Sequence, residues 1–86
     1  MYIVAYDISD SKERNLVAKK IECYGERIQK SVWTCDVSSL KINKLREKLA
    51  DLKINTGYIH IWQTQNEPLK IGAIELIPEI KFVHFL

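Results

Sequence analysis

The sequence is poor in the residues that build several common kinds of site. It contains three glycines, two prolines and two cysteines among 86 residues. So few glycines exclude a glycine-rich phosphate-binding loop. Cys23 and Cys35 form no Cys-x-x-Cys pair, which excludes a zinc site of standard spacing. No apolar run approaches the roughly 18 residues of a membrane-spanning helix. We therefore expect a cytoplasmic protein with reduced thiols and no membrane association.

An excess of charge of one sign is also missing. The formal net charge is +2, so a nucleic acid would have to be held by local clusters of Lys and Arg rather than by a strong overall field. Hydrophobic residues make up 47% of the chain, which predicts one folded domain over residues 1–86. A chain this short buries only roughly 60% of its unfolded surface. We therefore expect a small site shared across a symmetric dimer rather than a deep private cleft.

The apolar residues predict two helices, of which the first follows a buried strand. The run "MYIVAYDI" predicts that strand. Asp10 and Glu13 have the spacing of a capping box, in which each side chain accepts a hydrogen bond from the other residue's backbone amide. A helix is therefore expected over residues 11–24, ended by Gly25 in a left-handed conformation. The second helix, capped by Ser38 or Ser39, is predicted by apolar residues at helical spacing: Ile42, Leu45, Leu49 and Leu52.

The remaining segments predict strands. In "RIQKSVWTCDV" the apolar parity switches around Lys30 and Ser31, which indicates either a β-bulge there or a hairpin-like pair of strands. The segment "TGYIHIWQT" alternates like a half-buried strand. The short piece "LKIGAIELI" and the final run "IKFVHFL" follow two prolines. This order predicts an α+β, ferredoxin-like (βαββαβ) sandwich with both helices on one face of the sheet. The last strand has no cap, so we expect it to add to a partner's sheet in a homodimer.

Asp7 ends the first strand, and its position allows three interpretations. It is a turn residue, an ion-pair partner of Arg14, or a ligand of a divalent cation such as magnesium. Arg14 shares the helical stripe of Val17 and Ile21, which directs its guanidinium toward the end of the sheet. One carboxylate is too few for a magnesium site, but Asp7 from two protomers would supply two across the dimer axis, with Arg14 facing a phosphate.

Two stretches resemble a known family. "YDISDSKERN" after an N-terminal strand, followed by "GERIQKSVWTCDV", is similar to the CRISPR-associated Cas2 family over roughly residues 1–52. The resemblance implies a ferredoxin-like homodimer that acts in CRISPR adaptation (spacer acquisition). Some members are described as magnesium-dependent endonucleases on RNA or DNA, and others as scaffolds that bridge two copies of the integrase Cas1.

The resemblance also implies roles for particular residues. Asp7 matches the metal-binding aspartate of the family and Tyr6 its neighbouring tyrosine. Arg14 matches the arginine of the first helix, which would act in catalysis and in nucleic-acid binding. Arg27 and Trp33 match a further arginine and an aromatic residue of the nucleic-acid surface. Trp33 lies on the apolar parity, so burial in the core is the alternative to stacking against a base.

Other positions leave the function open. Gln29 and Ser31 either donate hydrogen bonds to phosphates or satisfy strand backbone. After Ser-Val the family commonly has phenylalanine and glutamate, where this chain has Trp33 and Thr34, and Leu16 replaces a frequent second basic residue. These departures favour the scaffold over the nuclease. A stand-alone, toxin-like endoribonuclease of the same fold is the alternative, and a plain RNA-binding module lacks the expected aromatic motif.

Overall fold

The computed structural model describes residues 1–65, which form one four-stranded antiparallel sheet and two helices. The elements in chain order are β1 (Tyr2–Ile8), α1 (Ser11–Ile21), β2 (Glu26–Gln29), β3 (Val32–Cys35), α2 (Ser39–Asp51) and β4 (Gly57–Gln63). The strand order across the sheet is β2-β3-β1-β4. This confirms the predicted α+β, ferredoxin-like arrangement. The pieces "LKIGAIELI" and "IKFVHFL", and the pairing predicted for the last strand, lie outside the described residues.

One face of the sheet carries the hydrophobic core. Successive residues of a strand point to opposite faces, and the alternate residues Val4, Tyr6 and Ile8 of β1 are all buried in the same cluster. Both helices pack there, through Val17 and Ile21 of α1 and through the buried residues of α2, which are Ile42, Leu45 and Leu49. The periodicity of α2 therefore identified its buried face correctly.

The opposite face of the sheet carries the side chain of Asp7. Asp7 pairs with Tyr58 across β1 and β4, and residues directly opposite in an antiparallel pair share a face. Tyr58 is 54% exposed, and Trp62, which lies on the same face four pairs further along β4, is 49% exposed. Asp7 thus lies on the face away from the helices, beside half-exposed aromatic residues.

The parity switch around Lys30 and Ser31 comes from a hairpin, one of the two predicted alternatives. Lys30 and Ser31 form the two-residue turn between β2 and β3, and Gln29 pairs with Val32 across it. A register shift does occur, but it lies between Arg27 and Gln29, inside β2. The prediction of a bulge at Lys30 and Ser31 was therefore wrong in position, because the turn itself reverses the chain there.

The start of α1 was predicted only in part. Asp10 is the N-cap, and its carboxylate accepts a hydrogen bond from the Glu13 amide at 2.9 Å, as expected. The reciprocal bond is missing, because the Asp10 amide donates instead to the Thr56 hydroxyl at 3.0 Å. The carboxylate of Glu13 is used elsewhere, on the connection between α2 and β4.

The end of α1 also differs from the prediction. The helix ends at Ile21 rather than residue 24, and Gly25 does not have the left-handed backbone expected of it. Gly25 is required for a different reason: a Cβ atom there would collide with the Thr34 carbonyl and lie 2.7 Å from Cys35 Sγ. A residue in the left-handed region does occur after α2, where Lys53 has φ 53°.

Neither α1 nor α2 is long and apolar enough to cross a membrane, and no other helix occurs within residues 1–65.

Two leucines of α2 test the assignment of the core. Leu45 is fully buried, whereas Leu40 is 73% exposed on the same helix. We expect Leu45→Ala to lower the free energy of unfolding by about 2 to 5 kcal/mol, because it removes transfer energy and leaves a cavity. Leu40→Ala, the matched control, should change it by less than about 0.5 kcal/mol. Urea unfolding measures both, and similar losses in the two variants would contradict the assigned core.

Candidate functional site

A cleft of about 470 Å³ opens at the end of β1, between α1 and the β2–β3 hairpin. Five of the seven predicted site residues line it: Tyr6, Asp7, Arg14, Arg27 and Ser31. Asn15 and Lys30 are the other polar residues of its wall. A volume in this range accommodates a small ligand or a single nucleotide. The fold therefore gathers residues that are up to 25 positions apart in the sequence.

Among residues 1–65, Asp7 contributes the one carboxylate of this cleft. It is exposed, and its side chain makes no hydrogen bond or ion pair to any residue of the described part of the chain. An ionised carboxylate accepts hydrogen bonds at two oxygens, so Asp7 retains its full capacity to bind a cation or a donor. The interpretation of Asp7 as a purely structural ion-pair partner does not fit this geometry.

Arg14 is directed at the end of β1, as its helical position predicted, but its target is the backbone. Its Nη1 donates to the Ile8 carbonyl at 2.9 Å and to the Ser9 carbonyl at 2.8 Å. Arg14 and Asp7 both line the cleft, but no ion pair joins them, so the structure does not support the ion-pair interpretation, one of the three open for Asp7. The remaining guanidinium nitrogens stay available to an anion in the cleft.

Trp33 is a core residue rather than a stacking platform. It is 4% exposed, and its indole Nε1 donates to the Tyr6 hydroxyl at 3.3 Å. The guanidinium of Arg27 lies over the ring, 4.8 Å from its centroid. A nucleobase cannot stack on a ring covered in this way, so the predicted base contact of Trp33 was wrong and the core alternative was right. Tyr6 is also buried, and its hydroxyl oxygen is the acceptor of the Trp33 bond.

Ser31 and Gln29, whose roles the sequence left open, lie at different places in the structure. Ser31 lines the cleft, and its carbonyl accepts the Tyr6 amide at 3.1 Å, which extends the pairing of β1 and β3 into the turn. Gln29 lines a different cavity, next to Ile28 and Trp62. Gln29 is therefore not brought to the cleft with the other predicted residues.

Sequence reasoning missed two residues of the cleft. Asn15 adjoins Arg14 in the first turns of α1, and Lys30 stands in the turn of the hairpin. A signal for Lys30 was available, since a two-residue turn at Lys30 and Ser31 places both at the end of the sheet where β1 also ends. Lys30 makes no hydrogen bond or ion pair to another described residue.

The residues present fit a magnesium ion only incompletely within one chain. Among residues 1–65, no group of three or more His, Cys, Asp or Glu side chains is placed to hold a metal ion. Magnesium binds in proteins through one or two carboxylates while keeping several waters and a substrate phosphate. The free carboxylate of Asp7 supplies one carboxylate ligand, and a second copy of the chain is needed to supply two.

A hydrogen-bonded cluster lies next to the segment that follows Asp7. The Glu13 carboxylate accepts from the Asn55 amide at 2.9 Å, from the Thr56 amide at 3.0 Å and from the Thr56 hydroxyl at 2.6 Å. These donors stabilise the ionised form and lower the pKa of Glu13, with the Thr56 hydroxyl as the largest cause. Glu13 thus joins the start of α1 to the start of β4.

Comparison with known proteins gives the same fold and similar sequences. The family model described as CRISPR associated protein Cas2 matches residues 1–70. The CRISPR-associated endonuclease Cas2 2 of Thermus thermophilus is 35% identical over 89 aligned positions, covering 100% of this chain and 96% of the relative. The CRISPR-associated endoribonuclease Cas2 3 of Synechocystis is 43% identical over 49 residues, 57% of this chain and 53% of the relative. The match thus spans about half the length of the Synechocystis relative.

Two solved structures are similar to this chain. A hypothetical protein from Thermus thermophilus superposes with a TM-score of 0.76 at 30% identity, over 84% of this chain and 89% of that one. Streptococcus pyogenes Cas2, crystallised at pH 6.5, gives a TM-score of 0.67 at 27% identity, over 74% and 84%.

The Glu13 cluster predicts a particular acid sensitivity. Because its pKa is lowered on folding from an ordinary 4.5, ionised Glu13 stabilises the fold above pH 4.5, and this contribution is lost as pH falls through the lower folded value. We expect Glu13→Gln to unfold at lower urea concentration than the wild type near pH 7, with the difference shrinking as the pH falls below 4.5. Glu47→Gln on α2 is the control and should match the wild type at both values. A Glu13→Gln deficit that does not depend on pH would contradict the role of the ionised form.

Proposed function

The chain belongs to the family of CRISPR-associated Cas2 proteins, and from that membership we propose that it acts in CRISPR adaptation as a homodimer. In this role it binds DNA or RNA, bridges subunits of the integrase Cas1, and cleaves nucleic acid with magnesium or another divalent cation as cofactor. The observation that carries the proposal is the unpaired carboxylate of Asp7 in a cleft lined by three cationic side chains: Arg14, Arg27 and Lys30.

The dimer is proposed from the face on which Asp7 lies. This face is not the one that packs against the helices, and it carries Tyr58 and Trp62, each about half exposed. Apolar aromatic surface of this kind favours contact with another protein surface. A two-fold axis near Asp7 would bring two carboxylates together, which is the larger of the two numbers that magnesium sites in proteins use.

The cations of the cleft are proposed to hold the nucleic-acid backbone. Arg14 is held by the Ile8 and Ser9 carbonyls, and Arg27 is held over the Trp33 ring, so both side chains are preorganised. Each guanidinium keeps N–H donors that these contacts do not use. Lys30 is on a turn and has no described partner, so it is free to follow a phosphate. Lys and Arg contacts of this type position the backbone without reading sequence.

The chemistry of cleavage rests on Asp7. Its carboxylate from each protomer would hold the cation, which when bound supplies positive charge at the scissile phosphate. Arg14 would orient that phosphate from the helix side through the donors that the carbonyls do not use. Tyr6 is buried, and its hydroxyl oxygen accepts a hydrogen bond from Trp33 in the core, so Tyr6 is proposed to shape the cleft rather than to exchange a proton with substrate.

A change of charge at Asp7 tests the nuclease component. Asp7→Asn should reduce magnesium-dependent cleavage of RNA or duplex DNA by at least about 100-fold, because the cation loses its ligand and with it several kcal/mol of charge stabilisation. Asp36→Asn is the matched control, since Asp36 is also an exposed aspartate at the end of a strand but does not line the cleft. Gel assays with and without chelator measure cleavage, and light scattering should give the same dimer for all three proteins.

Each outcome of that experiment has a distinct meaning. Equal cleavage by the wild type and Asp7→Asn would show that Asp7 is not the metal ligand. If none of the proteins cleaves but all co-purify with the cognate integrase, the scaffold role holds and the nuclease role fails. A wild type that neither cleaves nor binds integrase would contradict the proposal as a whole.

The free cation of the hairpin gives a second test, which needs no cleavage. Each phosphate neutralised by a Lys or Arg contributes about 0.9 to the slope of log affinity against log salt for duplex DNA. Lys30→Gln should therefore weaken duplex binding and lower that slope by about 1. Lys44→Gln on α2 removes the same charge outside the cleft and should leave the slope unchanged. Equal effects of the two variants, measured by fluorescence anisotropy, would show that binding does not use the cleft.

A further inference from the structure

Three backbone segments meet next to the Asp7 end of β1 through one carboxylate. Glu13 lies in the first turn of α1. Its carboxylate oxygens accept hydrogen bonds from the backbone amides of Asn55 and Thr56, which directly precede β4. The Thr56 hydroxyl donates to Glu13 at 2.6 Å and accepts from the Asp10 amide at 3.0 Å. The hydroxyl thus relays a hydrogen bond from the β1–α1 connection to the carboxylate.

The same cluster continues into the strand pair that carries Asp7. The Ser9 amide donates to the Thr56 carbonyl at 3.0 Å, immediately beyond the last pair of the β1–β4 ladder, Ile8 with Gly57. Gly57 allows an unusually close approach of the two strands, since a Cβ atom there would collide with the Asp7 carbonyl and lie 2.7 Å from Ile8 Cα. The backbone of Asp7 is therefore in direct contact with the residue that follows Thr56.

We propose that Glu13 is a positioning residue for Asp7, acting through Thr56 and Gly57. The inference deepens the proposed function and rests on it, because it assigns a part in the Asp7 site to a residue outside the cleft. Glu13 holds Asn55 and Thr56 against the β1–α1 connection, and Gly57 transmits that position to the Asp7 backbone. Arg14 holds the next two carbonyls from the opposite side.

The chemistry of the cluster requires an ionised carboxylate at position 13. Two backbone amides and one hydroxyl all donate to it, and a carboxylate can accept all three. The amide of a glutamine offers one acceptor oxygen, and its nitrogen is a donor that would face a backbone N–H. Capping of α1 does not require the Glu13 carboxylate. Asp10 accepts the Glu13 amide, and the Asp10 amide donates to the Thr56 hydroxyl instead of to Glu13.

Two pairs of variants test the inference. Glu13→Gln is compared with Glu47→Gln, an exposed glutamate of α2, and Thr56→Val is compared with Thr56→Ser, which keeps the hydroxyl. For each full-length protein, nuclear magnetic resonance gives the Asp7 amide shift, the exchange rates of the Ser9 and Asp10 amides, and the midpoint of a magnesium titration. Circular dichroism checks that the fold is retained.

We expect Glu13→Gln and Thr56→Val to move the Asp7 amide signal, to speed exchange of the Ser9 and Asp10 amides several-fold, and to raise the magnesium midpoint several-fold. Glu47→Gln and Thr56→Ser should behave like the wild type. If the Ser9 and Asp10 amides exchange faster while the Asp7 signal and the magnesium midpoint stay at wild-type values, the cluster only stabilises the fold and the inference is wrong.

The readouts separate this inference from the proposed function. If the wild type itself binds no magnesium, the proposed metal site fails, and the Asp7 amide signals of the four variants alone decide whether Glu13 positions Asp7. Should Glu13→Gln fail to fold, Thr56→Val and Thr56→Ser decide the same question, because they differ in the hydroxyl that Glu13 accepts.

Discussion

The pairing of β1 on both of its edges is the constraint on which the rest of this structure depends. β3 lies antiparallel on one side and β4 on the other, so β1 has no free backbone edge within the described chain. With both edges of the strand paired, its side chains can point only to one face of the sheet or the other. Val4, Tyr6 and Ile8 supply the core under the helices, which leaves Asp7 on the other face at the point where both neighbours begin or turn.

The charged residues that follow β1 act on the backbone more than on each other. Arg14 binds two carbonyls, and Glu13 binds two amides and a hydroxyl, so neighbouring residues of opposite charge hold two connections at one end of the sheet. Polar groups left unpaired at strand and helix ends are costly when water is excluded, and charged side chains form strong hydrogen bonds to them. This use of Glu13 and Arg14 leaves Asp7 with no described partner.

The fold could be predicted further than the site, for a physical reason. Burial periodicity is a local property, so β1, β4, the buried face of α2 and the ferredoxin-like order followed from spacing, whereas the hairpin of β2 and β3 was one of two alternatives. The boundary of α1, the capping box and the role of Gly25 depended on contacts with Thr56 and Thr34, which are distant in sequence. Local patterns identify which groups need a partner but not which distant residue supplies it.

The same distinction explains the candidate site. A helical stripe correctly directed Arg14 to the end of the sheet, but strand alternation, which also can be read from the sequence, places Asp7 on the opposite face. The two side chains nevertheless line one cleft, and no ion pair joins them. Asp7 reaches this cleft from β1, Arg14 from α1, and Arg27 and Lys30 from the β2–β3 hairpin. A phosphate bound by these cations would therefore lie in the same cleft as the Asp7 carboxylate. One chain therefore supplies three cations and the single carboxylate of Asp7 to this cleft. A metal site built on two carboxylates would need a second copy of the chain, whereas the cations that would contact a nucleic-acid backbone all come from one chain.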